Sequence, residues 1–449
     1  MENFITVWDF VLFPIYFLIV YAFANAIKNS NIETNKAYEY YVKGILAKIL
    51  GGFIFCCIYI FYYKGGDSIA YWKFSGCLVK LMSKNFSIYL DILSGNLTMS
   101  NYYYFDSTTG FPEYWKDAQS FSTIRFISPL YLLSIQSYFT CTLLLSALSY
   151  AGVWRLYLLF TREFPGLEKQ FAIAILFFPS LLFWGSGIMK DTYTLSAACW
   201  FTYSIYMVFI KREKIMPNIF WLIITTFVMI SFKPYIFIAL LPGSLVWVSF
   251  KRIQAVKSPV IKILVAPVII VVFMLLGTVV FSSLSSNLKQ YSSVDNMLNK
   301  AVVSQNDLKQ DYYQGNSFDI GEFDGSIGGV FSKFPLAVMA GLFRPFIFEA
   351  RNPVMFISGV ENTFLLIFTI IFLFRVGPIK VIKYILKEPL LLFSLTFAVF
   401  FAFGIGLSTS NFGALVRYKI PCIPFYLSSL YIIREYFEKQ EIVNDKKVG

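Results

Sequence analysis

Apolar stretches of spanning or near-spanning length recur from one end of the chain to the other, separated by polar links. A helix crossing the hydrocarbon core of a bilayer needs about 20 mainly apolar residues. The pattern predicts spans at about 8–27, 44–63, 127–150, 171–187, 192–210, 218–232, 235–250, 262–285, 355–374, 389–408 and 420–436. The stretches 171–187 and 235–250 are short or broken by proline. The expectation is an all-α integral membrane protein, a polytopic helical bundle of about 11 transmembrane helices forming a single membrane domain over 1–449.

Composition fits that reading, since 57% of residues are hydrophobic and only 14% charged, against about 25% charged in soluble domains. The links then set an orientation, because short cytoplasmic loops are enriched in Lys and Arg. Basic residues gather in 28–43, 151–170, 211–217, 251–261, 375–388 and the tail after Arg434, which all fall on one side of the predicted bundle. This places the N-terminus outside and the C-terminus in the cytoplasm. The start of the chain carries Glu2 and Asp9 with no basic residue before Lys28, which is unlike a cleaved signal peptide. The net charge of +12 is accounted for as topology determinants, with attraction to anionic membrane lipids in addition, and not as nucleic-acid binding. Six cysteines show no ligand spacing and read as packing residues. Histidine is absent, which excludes Ser-His-Asp and Cys-His nucleophile systems and His-ligated metals. Proton transfer falls to Asp, Glu, Lys, Tyr or water.

With that orientation, the segments 64–126 and 286–354 become two large external loops carrying interfacial helices. In the first, Ile69, Trp72, Leu78 and Leu81 recur near helical spacing with Lys73, Lys80 and Lys84 between them, the pattern of a helix in the interface plane. Asp67 follows Gly65 and Gly66 at the outer end of the second predicted span, where a carboxylate is placed as a general base and the glycines allow close approach. The competing account is a solvated carboxylate capping the following helix. In the second loop, Asp295, Asp307, Asp311, Asp319, Glu322 and Asp324 leave a divalent metal as an option, without EF-hand spacing. Its end, 341–353, is too short to cross and reads as a re-entrant or interfacial segment.

The other charged residues beside apolar segments fall on the same side as Asp67. Lys190 and Asp191 follow the stretch 177–189, in which Pro179 is expected to kink the span and Gly185, Ser186 and Gly187 permit tight packing. A cation and a carboxylate there suit a phosphate and a sugar hydroxyl; the alternative is a surface ion pair of little energetic weight. Lys233 adds a further cation. Arg344 and Arg351 offer guanidinium forks suited to phosphate, with Glu349 between them. Glu361 lies within an apolar span and is expected to face the interior, paired with Arg344 or Arg351. Arg417, Tyr418 and Lys419 precede the last span, either as phosphate ligands or as an ordinary interfacial belt.

This order of features resembles the GT-C superfamily of membrane glycosyltransferases: an acidic residue in the first large external loop (Asp67), a proline-marked helix end followed by an acidic position (Pro179 to Asp191), and an Arg-Tyr-x-x-Pro-x-x-Pro entry to a late span (Arg417, Tyr418, Pro421, Pro424). The motifs are short and spread over most of the chain. The resemblance implies transfer of a sugar from a polyprenyl-phosphate-linked donor to a glycan or glycolipid acceptor, in the bacterial cytoplasmic (inner) membrane on its external face. It gives Asp67 the role of base, Asp191 an acceptor or metal-assisting role, and Arg344, Arg351 and Arg417 the phosphate. One departure is that the loop follows the second predicted span of a chain starting outside, whereas in that superfamily it follows the first span of a chain starting in the cytoplasm. The segment GGDSIAYW also resembles the Gly-x-Asp-x-x-x-Tyr stretch of O-antigen-like polysaccharide polymerases, which join lipid-linked repeat units.

The expected activity is therefore glycosyl transfer, with repeat-unit polymerisation as the alternative. A glycolipid transporter or flippase would use the same cations, and an inverted repeat between the halves would mark it; none is visible in the sequence. A non-catalytic subunit of an export complex is the third reading. The sugar, the acceptor and the oligomeric state leave no trace in the sequence.

Overall fold

In a computed structural model, helix dominates the described residues, which are 5, 7–255, 294–308, 317–321 and 327–448. The chain to residue 255 runs through α1 (Val7–Asn31), α2 (Tyr41–Cys57), α3 (Asp67–Lys84), α4 (Phe86–Ser94), α5 (Met99–Tyr102), α6 (Ala118–Leu133), α7 (Tyr138–Glu163), α8 (Glu168–Phe171), α9 (Pro179–Trp184), α10 (Lys190–Ile205), α11 (Ile215–Phe232) and α12 (Pro234–Ala255).

Among the described residues, seven helical segments are long and apolar enough to cross a membrane: Val7–Asn31, Lys36–Tyr62, Tyr138–Glu163, Lys190–Lys211, Ile215–Phe232, Pro353–Val376 and Pro389–Ser408. These match six predicted spans and displace a seventh. The stretch 127–150 is divided between α6 and α7 by a turn in which Ile135 and Gln136 take φ of +51° and +62°. Ser137 then caps α7 by accepting the Thr140 N–H at 3.0 Å. Apolar residues flank that turn closely on both sides, and its short polar punctuation, Ser134, Gln136 and Ser137, decided the boundary. The stretch 171–187 is not one helix either. A π-turn over Ala172–Leu176 ends in a break, and α9 starts afresh with Pro179 in its first turn, where a missing N–H costs nothing. The apolar part of α12, Pro234–Phe250, falls below spanning length. The predicted span 420–436 enters a helix, Ile423–Val448, which from Arg434 onward carries Arg434, Glu435, Glu438, Lys439 and Glu441. The predicted span 262–285 lies outside the described residues.

The chain divides into two units, one of Met1–Glu163, Ile175–Ser204 and Met216–Lys233, the other of Phe164–Ala174, Ile205–Ile215 and Pro234–Gly449. In the first unit, α2 packs on α7 and α9 along a seam of small residues. A Cβ on Gly51 would lie 2.2 Å from the Leu182 carbonyl oxygen, and one on Gly52 2.5 Å from Ser146 Oγ, so only glycine allows these backbones to meet. The non-helical link after α9 has its carbonyls satisfied by side chains: Lys48 Nζ donates to Gly185 O at 2.5 Å, Ser146 Oγ to Ser186 O at 2.8 Å, and Thr192 Oγ1 to Gly187 O at 2.6 Å. Irregular backbone survives in apolar surroundings only when such partners are supplied. In α1 only 6% of the spanning window is buried, yet Asp9 is buried and accepts a hydrogen bond from Ser137 Oγ. An apolar helix with one inward carboxylate is thereby pinned to the cap of α7.

The helix predicted at the start of 64–126 is present as α3, whose buried face (Ile69, Tyr71, Ser75, Leu78, Leu81) packs on α6, while Lys73, Lys80 and Lys84 are exposed. In the second unit, the helix Phe334–Phe343 packs closely on Pro389–Ser408. A Cβ on Gly341 would sit 2.1 Å from Ala402 O and one on Gly406 2.0 Å from Ala337 O. At ten residues Phe334–Phe343 is too short to span, and Arg344 ends it.

Candidate active site

Asp67 stands where two strained pieces of backbone meet. The chain leaves the π-turn Ile58–Tyr62 through Lys64, Gly65 and Gly66, all at positive φ (+53°, +152° and +104°). Gly66 is the N-cap of α3 and Asp67 its first helical residue, a position where the helix dipole favours a carboxylate. A Cβ on Gly65 would meet open space, whereas one on Gly66 would come 3.3 Å from the Tyr59 ring.

Tyr114 closes the other side. Its hydroxyl donates to Asp67 Oδ1 at 3.3 Å, and its ring lies 5.3 Å from that of Tyr71, one turn along α3. Tyr114 has φ of +61°, a conformation that costs a non-glycine residue about 1–3 kcal/mol. Burial and then the Asp67 charge push its phenol up to about 12, which keeps it a donor throughout the neutral range.

The polar cluster continues from this loop. Asp117 caps α6 by accepting the N–H groups of Gln119 and Ser120 at 3.1 and 3.2 Å, and Ser120 Oγ donates to its other oxygen. Lys190 Nζ donates to Ser120 Oγ at 2.9 Å. Partial desolvation works to raise the Asp117 carboxyl; the Ser120 hydrogen bond, the Lys190 charge and the two backbone donors outweigh it and hold it below the ordinary carboxylate value.

Asp191, next to Lys190, points elsewhere. Its Oδ1 accepts from Lys233 Nζ at 2.5 Å, with the two side chains only 2% and 6% exposed. The first unit thus brings together Asp67 with Tyr114 and, separately, Asp191 with Lys233, while Lys190 reaches the Asp117 cap.

In the second unit, Arg344 is paired bidentately with Glu349 and stacked on the rings of Phe318 and Phe412, at 4.7 and 5.3 Å to their centroids. Glu349 also accepts the Phe346 N–H at 2.8 Å. The Phe318 segment is held by its own N–H to Ser410 O at 2.8 Å. Lys419 is buried and its three N–H donors go to Leu342 O and Arg344 O, each at 3.1 Å, and Asn362 Oδ1 at 2.5 Å. Glu361, expected beside Arg344 or Arg351, acts electrostatically on Lys419. Arg351 is exposed; Arg417 is half-buried beside the Tyr418 ring, 6.0 Å away.

Of the second-loop acids, Asp311, Glu322 and Asp324 lie outside the described residues, and Asp319 accepts the Gly321 N–H at 2.9 Å. Among the described residues no three His, Cys, Asp or Glu side chains converge as metal ligands would.

Sequence reasoning missed Tyr114, Asp117, Ser120 and Lys48. The loop tyrosine and aspartate lie among many similar residues with no spacing to single them out. Lys48 was legible, as a lysine inside a predicted span, where ionisable residues are costly and must find partners. Compared with family models, curated proteins and solved structures, the chain matches none.

Proposed function

We propose that this chain is a membrane glycosyltransferase that moves a sugar from a polyprenyl-phosphate-linked donor to an acceptor hydroxyl, with Asp67 as the general base. The observation that carries the reading is the setting of Asp67. A half-buried carboxylate heads a helix behind two glycines at positive φ, with one oxygen held by Tyr114. An ionised carboxylate is acceptor-only, the form that can orient an acceptor hydroxyl and take up its proton.

In the proposed step, Asp67 takes the proton of the acceptor hydroxyl as that oxygen bonds to the anomeric carbon. The bond from that carbon to the donor phosphate oxygen breaks, and polyprenyl phosphate leaves with the electron pair. A phosphate leaving group needs charge neutralisation and no proton, so the absence of histidine is no obstacle. Lys190 is the cation of the same unit assigned to that charge. Asp191, Lys233, Arg344, Glu349 and Lys419 serve in this reading as scaffold, because their charges are met inside the protein. The reaction is placed on the external face, opposite the basic loops, in the bacterial cytoplasmic membrane.

The test is the lipid-linked glycan profile of cells carrying the wild type, a deletion, or Asp67→Asn at matched membrane expression. Loss of one sugar in both altered strains supports transfer, and loss of chain length alone supports repeat-unit polymerisation by the same base. A normal profile in Asp67→Asn beside a defective deletion overturns the Asp67 mechanism and favours transport or assembly.

A further inference from the structure

We infer that Tyr114 is a positioning residue for Asp67, held by a strained loop so that its hydroxyl orients the carboxylate at the head of α3. The inference rests on the reading of Asp67 as the base. It adds a residue which neither motif nor spacing indicated.

Three observations converge on it. The hydrogen bond from Tyr114 to Asp67 joins residues 47 positions apart, so the loop folds back over the start of α3. Both partners are delivered by backbone in the left-handed region, Lys64 through Gly66 on one side and Tyr114 itself on the other. Non-glycine residues adopt that conformation only where surrounding structure enforces it, and such residues cluster at functional sites. The Tyr114 ring is also seated, with Tyr71 at 5.3 Å and Phe74 at 6.5 Å, so the hydroxyl is presented by a fixed plane.

The surrounding charges make the arrangement persistent. Asp67, Glu113 and Asp117 all act on the Tyr114 phenol in the sense that keeps it protonated. Lys190 offsets the Asp117 charge, and Lys64 and Lys73 flank Asp67 along the chain. Tyr114 therefore remains a donor, and cannot itself compete as the base near neutral pH.

The experiment uses the full chain in its membrane and, for spectroscopy, purified in detergent. Tyr114→Phe keeps the ring contacts and removes only the hydroxyl. At matched expression it should lower product formation roughly tenfold or more, the range lost when a reacting group is mispositioned. Asp67→Asn should abolish product, and the double variant should equal Asp67→Asn, because residues acting as a unit are not additive. A second readout needs no activity: fluorotyrosine at position 114, followed by 19F NMR. In an Asp67→Asn background its resonance should move and its phenol should titrate at lower pH, since the negative charge that opposes ionisation is gone. An unchanged resonance and titration, or full activity in Tyr114→Phe with Asp67→Asn inactive, overturns the positioning role and leaves Asp67 as the base. Full activity in Asp67→Asn overturns both.

Discussion

Lys233 Nζ meets Asp191 Oδ1 at 2.5 Å across 42 positions of sequence, tying the end of α11 to the first turn of α10 with both side chains out of solvent. Two charges which look, in sequence, like independent site residues are each other's partners. Removing either takes away the other's buried ion-pair partner, at a cost of about 3–5 kcal/mol. Asp191→Asn and Lys233→Met should each lower the thermal midpoint of the detergent-purified protein sharply. The double variant Asp191→Asn/Lys233→Met should recover much of that loss. If the single variants melt with the wild type, the pair has no structural weight.

The seam between Phe334–Phe343 and Pro389–Ser408 supplies a packing test with an internal control. Gly406→Ala places a methyl 2.0 Å from the Ala337 carbonyl oxygen, whereas a Cβ on Gly404 meets nothing within 4 Å. Overpacking costs about 1–3 kcal/mol. Gly406→Ala should therefore destabilise the protein while Gly404→Ala stays within about 0.5 kcal/mol of wild type, a substitution away from contacts. Equal midpoints for the two variants would contradict the close approach.

Lys419 holds three acceptors at once, two of them carbonyls flanking the end of Phe334–Phe343. Lys419→Met strands those acceptors, each at about 1–3 kcal/mol when buried. The expected outcome is a loss of folded protein, seen as a lower midpoint and faster proteolysis near Arg344. A Lys419→Met variant of normal stability that fails only in binding a phosphorylated lipid would return Lys419 to the phosphate role.

Asp117 gives a pH dependence with a definite sign. Its folded carboxyl lies below the ordinary value of about 3.9, so its contribution to stability is present above that value and is lost as pH falls through and below it. Acidification should release the cap of α6 together with Lys190, and Trp115, buried two residues away, should report it by fluorescence. In Asp117→Asn that transition should be absent. A transition that persists unchanged in Asp117→Asn belongs to another group.

Gly66→Ala should impair product formation more than it impairs folding. Alanine at φ of +104° is strained and its methyl meets the Tyr59 ring at 3.3 Å, displacing the residue that heads α3. The destabilisation is about 1 kcal/mol, and the altered Asp67 position is read in the glycan profile. Wild-type output from Gly66→Ala would show that the turn does not set the carboxylate.

What the sequence by itself determined is the solvent of this protein and much of its helical register. Runs of apolar residues such as 8–27, 355–374 and 389–408 have one physical solution in a membrane, a helix that satisfies its own backbone, and those helices are present. Charge at span ends, and Asp67 behind two glycines, were equally legible because they depend on neighbours in the chain. The tertiary structure decided what depends on partners far apart in sequence. It split 127–150 at a turn that apolar content conceals, and it gave the carbonyls after Trp184 to Lys48, Ser146 and Thr192. It also joined Asp191 to Lys233 and brought Tyr114 to Asp67. Hydrophobicity is additive along the chain and can be read locally. A hydrogen bond or an ion pair exists only where folding brings two groups within about 3 Å, and linear order does not encode that distance.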